Sequence, residues 1–261
     1  MHSGFLDGDD PNRGPTHPPV YEVGPWVHGG MPFDEVAGDS VSFIGTATTL
    51  LRLGGFTVLT DPNFLHRGQW SHFGQGLFSR RRTEPAAQPA ELPPLTAVVL
   101  SHLHGDHFDR IARRELDRDV PVVTTGHAAK SLERSGFRAC AALRTWDTET
   151  FTDGDATLRV TAVPARHVAG PLNLLLPAVN GNVLEYQANA EDTPLRIYVS
   201  GDTVFHQDLA RIRERFPRLD LALLHLGGTR VLGVLLSMDH EQGAHVRLLH
   251  RGDSLSLAPA R

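Results

Sequence analysis

SHLHGDHFD, residues 101–109, places His102, His104, Asp106 and His107 within six consecutive positions. The preceding run LTAVVL, residues 95–100, is apolar and β-branched, as expected of a buried strand. FDRIARREL, residues 108–116, has the spacing of a helix with Ile111 and Leu116 inward. At the end of an extended strand, His102 and His104 project to the same side because side-chain direction repeats every two residues. Gly105 allows a sharp backbone turn. Asp106 and His107 then return toward the same point from the start of the helix. Three imidazoles and a carboxylate can so converge on one or two cations. A mixed nitrogen and oxygen set suits Zn²⁺, with Mn or Fe also possible.

Working outward, other strand-like runs also deliver polar residues at their C-terminal ends. VLTDP (58–62) reaches Asp61, ATLRVTAVPARH (156–167) reaches His167, LRIYVSGDT (195–203) reaches Asp202, and LDLALLHLGG (219–228) reaches His225. TTLLRL and FTVLTD flank Gly54-Gly55 and predict a hairpin. NLLLPAVNGNVLEYQ (173–187) predicts a second hairpin, turning at Asn180-Gly181. VPVVTT predicts another strand, HAAKSLERSG a helix capped by Gly136, QDLARIRERF a helix, and DHEQGAHVRLLHRG a final helix. The chain therefore reads as α/β. Residues 1–39, rich in Pro, Gly and Asp, predict an irregular arm, and residues 40–261 one domain. The stretch from Pro62 to Pro94 lacks periodicity but carries Trp70, Phe73 and Phe78, which could wall or cover a pocket. Arg80, Arg81 and Arg82 form a short basic run, either a solvated loop or a phosphate contact.

Composition narrows the function classes. A net charge of −5 and no basic stripe argue against nucleic acid as the partner and for a small-molecule substrate. The lone Cys140 can form no internal disulfide and belongs to no CxxC pair. The acidic, turn-rich N-terminus does not resemble a signal peptide, and no apolar run has the length of a membrane span. These features predict a cytoplasmic protein. They do not specify its oligomeric state.

The histidine-rich stretch resembles the signature of the metallo-β-lactamase-fold hydrolases, and the family landmarks follow in order from Val41 onward. IGTATTLL…TDP, SGDT, and GGTR…MD are similar to the branch containing ascorbate-6-phosphate lactonase and N-acyl-phosphatidylethanolamine-hydrolysing phospholipase D. The resemblance implies a four-layer αββα sandwich with metals at one edge between two sheets. It implies that His102, His104 and His167 hold a first metal, Asp106 and His107 a second, with Asp202 shared. Asp61 would orient a ligand histidine. The implied chemistry is hydrolysis of an ester, lactone, amide or phosphodiester by a metal-activated hydroxide. Asp106 would orient the nucleophile, and His225 is a candidate to protonate the leaving group. Two departures stand out. Thr46 occupies a place where relatives often carry His, and Arg251–Arg261 contain none of the last histidine that relatives use for the second metal. The expectation is a sandwich lacking its C-terminal strand, with a weaker second site completed by water, His225 or His240. The alternatives are a weakly active or inert metal-binding protein and, less favoured, a nuclease of the same fold.

Overall fold

The computed structural model describes residues 38–72, 78–168, 177–226, 230–231, 234–235 and 254–257. Side chains alternate between the two faces of each strand, and because the central strands are buried on both faces this builds the layers. The first sheet contains β1 (Ser40–Gly45), β2 (Thr48–Leu53) and β3 (Phe56–Thr60), in antiparallel order. A short ribbon of β4 (Trp70–His72) and β5 (Phe78–Arg80) follows, outside this sheet. The sheet resumes with β6 (Ala97–Val99), β7 (Val122–Thr124) and β8 (Cys140–Ala142), all parallel to β3. Helix α1 (Arg110–Glu115) joins β6 to β7, and α2 (Gly126–Arg134) joins β7 to β8. The second sheet is formed by β9 (Thr148–Asp153), β10 (Ala156–Pro164), β11 (Asn180–Gln187), β12 (Leu195–Val199) and β13 (Leu221–Leu223). Helix α3 (Leu209–Arg215) connects β12 to its parallel neighbour β13.

Residues of opposite parity separate the cores. Leu51, Leu53, Val58, Val99 and Val123 face Leu158, Val160, Leu184, Ile197 and Val199 across the two sheets. Their neighbours Leu50, Leu59, Val98 and Val122 turn outward against Ile111, Ala112, Ala128 and Leu132 of α1 and α2. On the other side Val163, Val183 and Tyr198 meet Ile212 of α3 and the following Phe216. The order helix, sheet, sheet, helix is the expected four-layer sandwich. Each large aliphatic side chain removed from water in these layers stabilises the fold by ~1.5–3 kcal/mol.

Several expectations change. Asn180-Gly181 is not a turn: it begins β11, and Asn180 pairs with Pro164 of β10. Asn-Gly suits a tight turn, but here the β10 pairing and the packing of Val183 and Leu184 on opposite faces override that local preference. The stretch 62–94 is not wholly irregular, holding the β4–β5 ribbon and a 3₁₀ turn at Pro89–Glu91. In the ribbon, Trp70 and Phe78 are 60% and 59% exposed, so these rings point to solvent instead of sealing a core. Phe73, His240, the arm up to residue 37 and the predicted final helix lie outside the described residues. Toward the C-terminus, β14 (Arg230–Val231) and β15 (Val234–Leu235) pair with each other. A three-residue strand, β16 (Ser254–Ser256), runs antiparallel to β1 at the first sheet's edge. The longer histidine-bearing strand of the family pattern has no counterpart among the described residues. No helix among them is long and apolar enough to cross a membrane.

Candidate metal centre

Strand direction decides what gathers at the sandwich edge. β3 and β6 run parallel, as do β12 and β13, while β10 and β12 both run antiparallel to β11. Segments leaving the C-terminal ends of these strands carry Asp61, His102, His167, Asp202 and His225. Asn180 N–H donates to the Ser101 carbonyl at 3.1 Å, tying the two sheets together at this edge.

Within the 101–109 stretch, His102 leaves β6 fully buried and the chain then turns tightly. His107 and Phe108 N–H groups both donate to the His104 carbonyl, at 3.0 and 2.8 Å. Gly105 is required here because a Cβ would lie 2.4 Å from the His72 carbonyl oxygen. That carbonyl also accepts from Gly105 N–H at 2.8 Å, so the ribbon lies directly on the turn. Asp109 ends the stretch by capping α1: Oδ1 accepts from Ala112 N–H at 2.7 Å. Its Oδ2 accepts from Phe64 and Leu65 N–H at 2.6 and 2.7 Å.

Four imidazoles pack together as a result. The His102 ring centre lies 4.4 Å from that of His104, 4.2 Å from His107 and 4.6 Å from His167, and the His104 and His167 centres are 5.0 Å apart. One ring nitrogen from each of His102, His104 and His167 falls within a 4.8 Å group; so do donor atoms of His102, His107 and Asp202. A third group joins Asp61, His107 and His225. His107 Nε2 is 3.2 Å from Asp202 Oδ1 and 3.8 Å from Asp106 Oδ2, while its Nδ1 is 3.1 Å from Asp61 Oδ2. All seven residues named from the sequence are therefore at one place, with His225 beside them, 5.5 Å from the His107 ring.

Sequence reasoning missed Ser101. Its N–H and hydroxyl both donate to Asp61 Oδ1, at 2.8 and 2.9 Å. The same hydroxyl lies 2.9 Å from His102 Nδ1 and 3.2 Å from His107 Nδ1. Gly201 was also missed. It has φ +58°, and a Cβ there would meet Ser101 Cβ and the Asn180 carbonyl oxygen at 2.8 Å. Only glycine lets the Asp202 turn approach the His102 strand so closely. His66, His72 and His127 are exposed.

The electrostatics favour a bound cation. Burial, then the like charges of neighbouring histidines, drives His102 well below the usual imidazole range and His104 down to about 4. Both present neutral rings with lone pairs, the form that ligates metal. Burial opposes charging His107 too, but Asp202, Asp61 and Asp106 outweigh it and hold its ring protonated. Burial raises the Asp106 carboxyl, with Asp202 adding to the rise and His107 opposing it. Asp61, Asp106 and Asp202 thus crowd one imidazole that takes up a proton when no cation is there, and a metal ion could take that proton's place. Asp106 Oδ1 and His225 Nδ1 are buried without a hydrogen bond. His225 also bonds the Ala47 backbone, which by elimination uses Nε2–H and leaves a lone pair on Nδ1. Neutral nitrogens and underused carboxylate oxygens together fit a divalent transition metal.

Comparison with known proteins agrees with this arrangement. A family profile described as the Beta-lactamase superfamily domain matches residues 57–248. An uncharacterized protein of Mycobacterium tuberculosis is 30% identical over 223 residues, covering 80% of this chain and 54% of that protein. The chain thus spans about half the length of that relative. The mitochondrial N-acyl-phosphatidylethanolamine-hydrolyzing phospholipase D of Saccharomyces cerevisiae is 26% identical over 194 residues, covering 71% of this chain and 39% of the yeast protein. Among solved structures, an isothiocyanate hydrolase from Delia radicum gut bacteria superposes with a TM-score of 0.64 at 24% identity, covering 78% of each chain. With the four-layer sandwich, the histidine cluster at its edge and the profile match over most of its length, the chain belongs to the β-lactamase superfamily.

Proposed function

We propose that this protein is a metal-dependent hydrolase of a small-molecule ester, lactone, amide or phosphodiester, with zinc as the metal and Mn or Fe as substitutes. The observation that carries the reading is the trio of packed imidazoles, two of them held neutral by burial, beside a group of buried carboxylates. His102, His104 and His167 would hold one cation; Asp106, His107 and Asp202 would hold a second, with His225 Nδ1 completing its set. When bound, such cations lower the pKa of a coordinated water toward neutrality and polarise the substrate's oxygen.

The chain's own residues do the rest. Asp61 fixes the His107 ring through its Nδ1 side, and Ser101 holds Asp61 in place. Asp106, at the rim of the cluster, orients the attacking water through its carboxylate. His225, its Nε2–H tied to Ala47, carries its lone pair on Nδ1, and where the second cation does not claim it this nitrogen would take the proton given up by the attacking water and return it to the leaving group. A panel of generic ester, lactone, amide and phosphodiester substrates tests the reading. We expect turnover on at least one, reduced by about a hundredfold or more in Asp106→Ala. Full metal content without turnover on any would favour the inert metal-binding alternative.

A further inference from the structure

The basic run of the sequence is left unused by this chemistry; Arg80 and Arg82 are exposed and Arg81 is half-buried. We propose that the cleft formed by Arg67, Gly68, Arg80, Arg81 and Arg82 binds a phosphate-class oxyanion, either free or as the phosphoryl group of a larger ligand. The cleft has a volume of about 540 Å³, and every side chain lining it is a guanidinium. Although the Arg81 guanidinium itself turns inward to the Thr83 carbonyl and Asn63, four arginines lining one hollow are a local reversal of sign in a chain of net charge −5. Their mutual repulsion is relieved by an anion.

The arginines are also held in position. Arg80 Nε donates to the Gly68 carbonyl at 2.9 Å. Gly68 N–H donates to the Arg81 carbonyl and Arg81 N–H to the Gln69 carbonyl, each at 2.8 Å, so residues 67–69 and 80–82 form one clamp. Arg81, half-buried, donates through Nη1 to Asn63 Oδ1 at 3.0 Å, and Asn63 Nδ2 donates to the Gly105 carbonyl at 2.9 Å. An acid in the same loop, Glu84, accepts from the Arg67 N–H and lies 2.9 Å from His66 Nδ1. Among the described residues, no ion pair joins Arg67, Arg80 or Arg82 to a carboxylate. Planar forks with several N–H donors match phosphate oxygens in pairs, which a lysine patch does not. Confinement to one hollow favours a small ligand over a nucleic-acid strand, which needs a stripe.

The chain through Asn63 places the cleft one side chain from the turn that carries His104 and Asp106. Trp70, directly across the ribbon from Arg80, exposes a ring on which an organic body could rest. The site does not depend on hydrolysis, so its test is binding. Calorimetric titration at constant ionic strength would use inorganic phosphate and phenylphosphonate, whose P–C bond resists hydrolysis. We expect saturable binding of one anion per chain, weakened about tenfold or more in R80Q/R82Q with metal content unchanged. Both positions are exposed, and a thermal melt checks folding; R82Q alone serves if the double variant does not fold. Tighter binding of phenylphosphonate than phosphate, lost in W70A, would identify the phosphoryl group of a larger ligand; equal binding would identify free phosphate. Unchanged affinity in the arginine variants would overturn the proposal, because the anion would then sit on the metal. An oligonucleotide outcompeting both probes through the same arginines would overturn the small-ligand assignment.

Discussion

Ser101, which no motif singled out, touches three residues of the candidate centre. It gives two hydrogen bonds to Asp61, 40 positions earlier, and its hydroxyl lies beside Nδ1 of both His102 and His107. Such outer contacts fix ring orientation and typically alter metal affinity by ~10–100-fold when removed. Ser101→Ala should therefore weaken metal binding by about tenfold while leaving the fold intact, measured by competition with a chromogenic chelator. Unchanged affinity would mean that packing alone orients the rings. His102, His104 and His107 were legible because, with Asp106, four candidate ligands crowd one strand-to-helix junction. Ser101 was not, since a serine before a histidine has no periodic signature and its partner is remote in sequence. Gly201 was hidden for a related reason: its close approach to Ser101 exists only once both sheets are assembled.

At the level of elements, short apolar β-branched runs were readable, and β2, β3, β6, β10 and β12 all lie within the runs read as strands. The hairpin at Asn180-Gly181 failed because turn chemistry is a local preference and the strand pairing of β11 is not. Helix α1 has only six residues, too few for stability on its own. Its position comes from Asp109, which caps it and also accepts two N–H groups from the loop after Asp61. Asp109→Ala removes the cap and strands two buried donors, so a loss of about 3 kcal/mol is expected in denaturant unfolding. A loss below about 1 kcal/mol would show that water replaces the carboxylate. The cost should also appear at the site, because the same loop carries Asp61 and Asn63.

Across the whole molecule, the parallel pairs send five chain segments to one edge of the sandwich, and the centre exists only because both sheets contribute. His102 comes from the first sheet and His167 and Asp202 from the second, so a bound cation crosslinks the two. Metal saturated a hundredfold above its Kd adds ~2.7 kcal/mol to folding stability. For a domain of this size that corresponds to roughly 5–10 °C in Tm, to be lost on adding EDTA in scanning calorimetry. An unchanged Tm would mean that no cation bridges the sheets. The layered architecture was legible through the family resemblance that the histidine motif carries, whereas the partnership between Asp61 and β6 required three-dimensional assembly. The central claim is that the three-imidazole cluster is a metal site, and elemental analysis of gel-filtered protein tests it most directly. Wild type should retain at least one transition metal per chain, and His102→Ala/His104→Ala, confirmed folded by circular dichroism, should retain none at the first site; undiminished metal in that folded variant would contradict it.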